Sequence, residues 1–250
     1  MENIGTVELR QLNIDDYEEL YRSSVEAYPN WKDDYWEKKD IRKLVKIFPE
    51  GQLAVVVDDV VVGSALSIIV KYELFGDNHT YEEIIGRYSF NTHNPKGNTL
   101  YGIDVFIRPD YRGLRLGRRL YDARKELCEK LNLKAIVFGG RIPNYHKFAS
   151  ELSPKEYIQK VKYKEIHDPV LNFQLSNDFH VKKVLKGYIQ GDKESKEYAV
   201  LLQWDNIYYE KSPDKVGGAK SVVRLGLIQW QMRLYQNIEE LFKKIAKDKE

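Results

Sequence analysis

The 250-residue chain has one cysteine, five scattered histidines and 8 prolines. A lone Cys128 closes no internal disulfide, and with neither CxxC nor HExxH spacing the sequence offers no metal site. So few prolines beside 16 glycines exclude collagen-like and low-complexity classes. An excess of one charge is missing as well: 40 basic residues face 38 acidic ones, so no whole-molecule field draws the chain onto nucleic acid or a membrane. The longest apolar stretch, Leu53 to Val70, is broken by Asp58-Asp59 and reads as two strands rather than a span. Met1-Glu2-Asn3 has neither the basic leader nor the apolar run of a secretory signal. These absences predict a soluble, cytoplasmic protein. A chain of this size buries enough surface to fold without staples.

The apolar fraction of 42% is too high for a disordered chain, and its pattern is that of alternating strands and helices. Thr6 to Leu12 alternates as an opening strand, and Asp15-Asp16 then caps a helix running to Ala27. A second helix spans Trp36 to Phe48, with Ile41, Leu44, Val45 and Phe48 on one face. Leu53–Val57 and Val60–Val70 make a hairpin around Asp58-Asp59. Residues 71–98 are weakly periodic, and so long a connection in a compact domain suits a substrate-facing segment. Leu100 to Ile107 is a strand, Leu116 to Leu131 a strongly amphipathic helix, and Lys134 to Phe138 a short strand closed by Gly139-Gly140. Ser153-Pro154-Lys155-Glu156 is a capping box and Asp168-Pro169 starts a further short segment. Phe179–Ile189 and Tyr198–Trp204 form a second hairpin across Gly191-Asp192. The order predicts a mixed α/β sheet in a domain over residues 1–210. A linker over 211–220 and a strand and helix restarting over 221–250 suggest the beginning of a second unit.

The most informative stretch follows the strand that ends at Ile107. Gly113 and Gly117 lie in a loop that opens a long helix, where backbone N–H groups point outward unpaired. Those donors, the helix dipole and Arg108, Arg112, Arg115, Arg118 and Arg119 against one acid, Asp110, suit a pyrophosphate. A glycine turn before a solvated basic helix would read the same way on spacing alone. A nucleic-acid patch is a further reading of the arginines, opposed by the neutral net charge and the lack of interleaved aromatics.

Arg112-Gly113-Leu114-Arg115-Leu116-Gly117 resembles the acyl-CoA signature R/Q-x-x-G-x-G/A of the GNAT superfamily of N-acetyltransferases, with Arg115 where that family has glycine. Gly139-Gly140-Arg141-Ile142-Pro143-Asn144-Tyr145 and the stretch Asp168 to Asn177 look like the acetyltransferase half of bacterial proteins fused to a carbon–nitrogen hydrolase (nitrilase-like) domain. Val223 to Met232 is similar to the first strand of such a hydrolase and Asn237 to Ile245 to its first helix. The catalytic Glu, Lys and Cys of that family lie beyond the matched part, and Cys128 sits in an amphipathic helix where it packs.

The resemblance implies a mixed, mostly antiparallel sheet, splayed between the fourth and fifth strands, with helices on both faces. It implies transfer of an acetyl group from acetyl-CoA, as substrate and without a metal, to a small-molecule or peptide amine by direct attack. Pantetheine would run along Ile103–Ile107, with backbone donors near Val105 and Phe106 polarising the thioester. The amides of Ile107, Arg112, Gly113, Leu114, Arg115, Leu116 and Gly117, with Arg118, would hold the phosphates. Asp104 is the candidate base, though the position suits a partly buried acid paired with a neighbouring arginine somewhat better. Gln174 stands where many relatives carry an acidic tyrosine; Tyr145 or Tyr157 could substitute as acids or simply pack, and coenzyme A could also leave without a dedicated acid. Arg141 and His146 follow the fifth strand near the acceptor side, and Trp31, Tyr35 and Trp36 could wall a pocket or simply pack. A non-catalytic CoA-binding or regulatory module of a hydrolase fusion is the alternative function.

Overall fold

A computed structural model describes residues 5–31 and 35–211. The chain divides into two units, 1–211 and 212–250. The expected linker and the restarting strand and helix lie outside the described residues.

Seven strands form one sheet: β1 (Val7–Gln11), β2 (Gln52–Val57), β3 (Val60–Val70), β4 (Thr99–Ile107), β5 (Ala135–Arg141), β6 (His180–Leu185) and β7 (Ala199–Asp205). Their order is β1-β2-β3-β4-β5-β7-β6, antiparallel throughout except for β4 against β5. That parallel pair holds for three rungs only, Thr99–Tyr101 on Ala135–Val137. Beyond them the strands part, and Gly102 to Ile107 keep β3 as their one neighbour while β5 follows β7.

Helices cover both faces. On one side α1 (Tyr17–Ala27) and α2 (Lys38–Ile47) bury Leu20, Ile41 and Leu44 against Ile68, Val70 and Tyr101. On the other, α4 (Leu116–Lys130), α5 (Pro154–Lys162) and α6 (Pro169–Leu175) bury Tyr121, Ile158 and Leu171 against Leu100, Ile136 and Phe138. Cys128 lies within this second core, its Sγ 3.5 Å from the Leu133 carbonyl oxygen and its thiol pushed up to about 12 by burial. Among the described residues no helix is long and apolar enough to cross a membrane, and no three His, Cys, Asp or Glu side chains group as metal ligands.

Local chemistry explains the element boundaries. Asp58 and Asp59 both take positive φ, 47° and 65°, which matches the twist of a two-residue hairpin. The first helix is entered through a 3-10 turn, Ile14–Asp16, in which Asn13 accepts from Asp15 N and Asp16 accepts from Asn13 N; Asp16 stands at the N-cap of α1 as expected but bonds back to Asn13 rather than into the helix. Residues 71–98 contain a short helix, α3 (Tyr81–Ile84), capped by Thr80. Gly139 and Gly140 do not end β5. They sit inside it because Tyr188 and Gln174 pack where their Cβ atoms would be, 2.2 Å from Tyr188 Cζ and 2.2 Å from Gln174 Oε1. Residues 186–198 join β6 to β7 as a long loop rather than a tight turn.

The capping box at Ser153 is as expected, with Ser153 Oγ accepting from Glu156 N and Ser153 N donating to Glu156 Oε2 at 2.8 Å. Ser153→Ala is expected to cost about 1 kcal/mol, read as a lowered urea midpoint with an unchanged slope. An unaltered midpoint would show that Pro154 alone sets the start of α5.

Candidate active site

Two features meet at the parting of β4 and β5. The first is the loop that leads into α4. Pro109–Tyr111 form a 3-10 turn, Gly113 takes φ +84°, and Arg115 adopts φ +60° as the N-cap of α4. The left-handed angle is one that glycine supplies most cheaply, and Arg115 adopts it here. The first helical bond runs from Arg119 N to Arg115 O, so the six amides from Gly113 to Arg118 have no acceptor. Such a run of donors at a helix N-terminus fits a diphosphate.

The arginines divide in two. Arg112, although exposed, bonds back onto the chain, Nε donating to the Ile107 carbonyl at 3.1 Å and Nη2 to that of Ala27 at 3.5 Å, and Arg108 pairs with Glu26 at 2.6 Å. They pin the loop, while Arg115, Arg118 and Arg119 stay exposed beside the open amides. Gly117 serves packing as well: a Cβ there would lie 2.7 Å from Phe173 Cζ on α6.

The second feature is a cavity of about 930 Å³ on the α1–α2 side, floored by Gly102 to Val105 of β4 and Phe138 to Arg141 of β5. A β-bulge shapes that floor. Leu66 pairs with Asp104 and Ser67 with Gly102, so Ile103 is the extra residue. The bulge shifts the phase of the strand. Tyr101 and Ile103 face the α1–α2 core, and after the shift so do Asp104 and Phe106, which contact Tyr28 and Tyr35.

Asp104 is half-buried at the cavity floor, with its Oδ2 enclosed among these rings. Its Oδ1 accepts from Tyr28 Oη at 2.7 Å; Oδ2 and Tyr35 Oη make no well-aligned hydrogen bond, although Tyr35 Oη and the Val105 N–H lie close enough to the carboxylate to favour its charged form. Burial pushes the Asp104 carboxyl up to about 6, partly opposed by Tyr28 and by the charge of Arg124. Arg124 is 1% exposed and reaches the bulge from α4. Its Nη2 donates to the carbonyls of Leu66, at 2.7 Å, and of Asp104, and its Nε to Ser67 Oγ at 3.1 Å. The arginine thus holds the backbone of Asp104 and not its carboxylate. Arg124 lines the cavity, and its Nη1, beside Gly102, makes no hydrogen bond.

The open edge of β4 presents Val105 and Ile107, whose carbonyls take Tyr28 Oη at 2.9 Å and Arg112 Nε. Phe106 does not share that edge. Arg108 N donates to Val62 O on β3, and by alternation the backbone of Phe106 turns the same way, toward Ser64. The backbone of Phe106 therefore faces β3, which corrects the expectation of a Phe106 donor on the open edge.

Tyr145 and Tyr157 lie away from the cavity. Tyr145 Oη donates to the Leu152 carbonyl at 3.0 Å, and Tyr157 Oη to Asp168 Oδ2 at 2.7 Å, where they pack between α5 and β5. Neither faces the parted strands, which corrects the expectation of an acid at either position. His146 is exposed and bonded to the carbonyls of Pro143 and Glu194. Arg141 lines the cavity but is held by Asp192 and Glu194 and stacks on Trp31 at 5.1 Å. Gln174 faces Gly140, its Oε1 buried and without a partner. Tyr28 and Arg124 escaped the sequence reading. A charge on the apolar stripe of α4, between Leu120 and Cys128, was the available signal for Arg124; Tyr28, at a helix end, gave none.

The acetyltransferase (GNAT) family model matches residues 8–147. YkwB of Bacillus subtilis, an uncharacterized N-acetyltransferase, is 34% identical over 206 residues, covering 82% of this chain and 91% of its own length. YhcX of the same organism, a probable hydrolase, is 34% identical over 233 residues, 93% of this chain but 45% of YhcX, so the chain spans less than half of that relative. Two solved structures share the fold. The loading GNATL domain of CurA from Lyngbya majuscula has TM-score 0.69 and 22% identity, over 80% of this chain and 98% of that one. The GphF GNAT-like decarboxylase in complex with isobutyryl-CoA has TM-score 0.65 and 19% identity, over 79% and 98%. Six open amides at the entry to α4, parted central strands and these matches agree: the chain belongs to the acetyltransferase (GNAT) family of acyltransferases.

Proposed function

We propose that residues 5–211 transfer an acetyl group from acetyl-CoA to the amine of a small molecule or peptide, by direct attack. The observation that carries the reading is a carboxylate at the cavity floor, Asp104, whose Oδ2 is enclosed without a well-aligned hydrogen bond, on the strand that leads to an open run of amides. The amides of Gly113 to Arg118 hold the diphosphate, and the free edge of β4 at Val105 and Ile107 receives the pantetheine as an added strand would be received. Bound acetyl-CoA supplies the acyl thioester. Asp104 takes the proton of the incoming ammonium, which is mostly charged near pH 7. Tyr28 holds the carboxylate in place, and Tyr35 closes the cavity around the nitrogen.

Leu114 is 38% exposed. Leu114→Asp is the cleanest test of the cradle, since its carboxylate would take the free amides and repel a diphosphate without touching a core. Acetyl-CoA at a hundred times its Kd is expected to stabilise the wild type by about 2.7 kcal/mol and the variant hardly at all, read by thermal shift. Equal shifts would place the nucleotide elsewhere. Binding without transfer to any amine would instead favour a non-catalytic module.

A second reading has one observation in its favour, the bare Nη1 of buried Arg124 beside Gly102. A carboxylate on the acyl chain would find its partner there, and GphF is described as a GNAT-like decarboxylase. Release of CO2 from a carboxylated acyl-CoA in the absence of any amine separates this reading from the first. Residues 223–245 resemble the start of a nitrilase-like hydrolase and YhcX is called a probable hydrolase, so we infer that the acetyltransferase domain works beside a hydrolase domain in a longer chain.

A further inference from the structure

A chain of buried hydroxyls leaves the cavity where the two central strands part. Tyr101 sits on the last paired rung of β4 and β5, its Oη 2.7 Å from Tyr188 Oη and 2.8 Å from His79 Nε2. His79 is 5% exposed, and its Nδ1 lies 2.7 Å from the Gly76 carbonyl oxygen. A carbonyl only accepts, so Nδ1 carries the hydrogen and Nε2 of the neutral ring is an acceptor. That orders the donors: Tyr101 gives its hydrogen bond to His79, and Tyr188 gives its own to Tyr101. Tyr188 lines the cavity with its ring laid over Gly139.

We propose that Tyr188, Tyr101 and His79 form a proton relay for acyl transfer to an amine, an inference that rests on the function proposed above. Two protons must be moved. Asp104 removes the first, from the ammonium before attack. The second leaves nitrogen as the C–N bond forms and the C–S bond breaks, and one proton must reach the departing sulfur. Gln174, where relatives carry a tyrosine, has none to give. The proton from nitrogen passes to Tyr188 Oη as that hydroxyl's hydrogen moves to Tyr101 and that of Tyr101 to His79 Nε2. The same steps in reverse deliver a proton to sulfur, so the relay itself gains none; Asp104 releases the first proton to solvent before the next turnover, and nothing is oxidised. Tyr188 is the member that meets the substrate; Tyr101 and His79 are positioning residues that act through it.

The surroundings keep His79 able to accept. Tyr72 and Phe75 face it from the preceding turn, Tyr101 from β4 and Tyr188 from the loop after β6. The charges close by are Asp77 and Glu83, with Lys182 3.3 Å from Asp77 and Lys183 on Asn78. Burial outweighs the two carboxylates and holds the imidazole below its ordinary value, so the ring is neutral near pH 7.

The test is steady-state acetyl transfer by the full chain in H2O–D2O mixtures across pH, using an amine the wild type accepts. His79→Gln keeps an acceptor for Tyr101 and a donor for Gly76 but cannot take a proton; Tyr101→Phe cuts the chain. Each is expected to lower kcat on the order of 10²-fold with KM for acetyl-CoA within about twofold, and the double variant to lose no more than either single one. The isotope inventory should pass from curved to linear while the limb from Asp104 stays in place. Unchanged kcat, losses that multiply, or lost kcat with an unaltered inventory would overturn the relay. If either variant fails to fold, nitrogen-15 spectra of the wild type decide: a protonated Nδ1 and bare Nε2 support it, the opposite tautomer sinks it. A wild type that acetylates no amine refutes the acyl-transfer reading itself, and with it any part of the relay in that reaction.

Discussion

Asp104→Asn is expected to lower kcat/KM for acetyl transfer by 10²- to 10⁴-fold and at the same time to make the domain more stable. Both effects have one cause. A carboxylate buried to this degree prefers its neutral form, and its folded value of about 6 lies above the ordinary value of 3.8. A folded value raised above the unfolded one means that the folded state holds the proton more tightly. The stability this confers is present below about pH 4 and is lost as pH rises through about 6. Two pH units of difference amount to about 3 kcal/mol at pH 7. Asparagine still accepts from Tyr28 and never ionises, so it escapes that cost but cannot take a proton. Urea unfolding of the two proteins should therefore agree near pH 4 and diverge by pH 7.5, the variant being the more stable. The wild-type kcat/KM should rise with pH through about 6, and that limb should vanish in the variant. Unfolding curves that stay parallel at every pH, or a variant that keeps the limb, would remove Asp104 from the proposed chemistry.

The carboxylate itself was visible in the sequence, but its environment was not. Leu100 to Ile107 reads as a strand, and plain alternation would turn Asp104 away from Ile103. The bulge puts them on one face, and nothing in the local sequence marks it. The group that satisfies its carbonyls, on Leu66 and Asp104, is the guanidinium of Arg124, 20 residues further on than Asp104. Features fixed by neighbours in sequence were legible: the hairpin at Asp58-Asp59, the capping box at Ser153, the amide-rich entry to α4. Even the departure at Arg115 was, since a single left-handed residue is all that the loop requires there. Gly139-Gly140 misled for the converse reason. Glycine pairs usually end strands, and these remain in one because Tyr188 and Gln174, distant in sequence, occupy the space their side chains would need.

Arg124→Met tests how the bulge and the carboxylate depend on each other. Methionine matches the stem but leaves the carbonyls of Leu66 and Asp104 and the hydroxyl of Ser67 without their donor in a buried site. Each orphaned group costs about 1–3 kcal/mol, offset in part because a guanidinium no longer has to be desolvated. A net loss of about 3–5 kcal/mol at pH 7.5 is expected. The loss should depend on pH in a direction opposite to that of Asp104→Asn. The charge of Arg124 favours the ionised Asp104 and lowers its value, so the stabilisation between them exists only while the carboxylate is charged. That part fades as pH falls through about 6, leaving at pH 4 the cost of the unpaired carbonyls alone. In the variant the carboxyl should titrate above 6, and the kcat/KM limb, if activity survives, should move to higher pH with it. Arg124→Lys keeps the charge but cannot bridge two carbonyls and a hydroxyl, so it should keep the limb near its wild-type position while losing much of the stability. A methionine variant whose deficit is the same at pH 4 and 7.5 would mean that Arg124 only fills the bulge, and that the reactivity of Asp104 is set by burial and Tyr28.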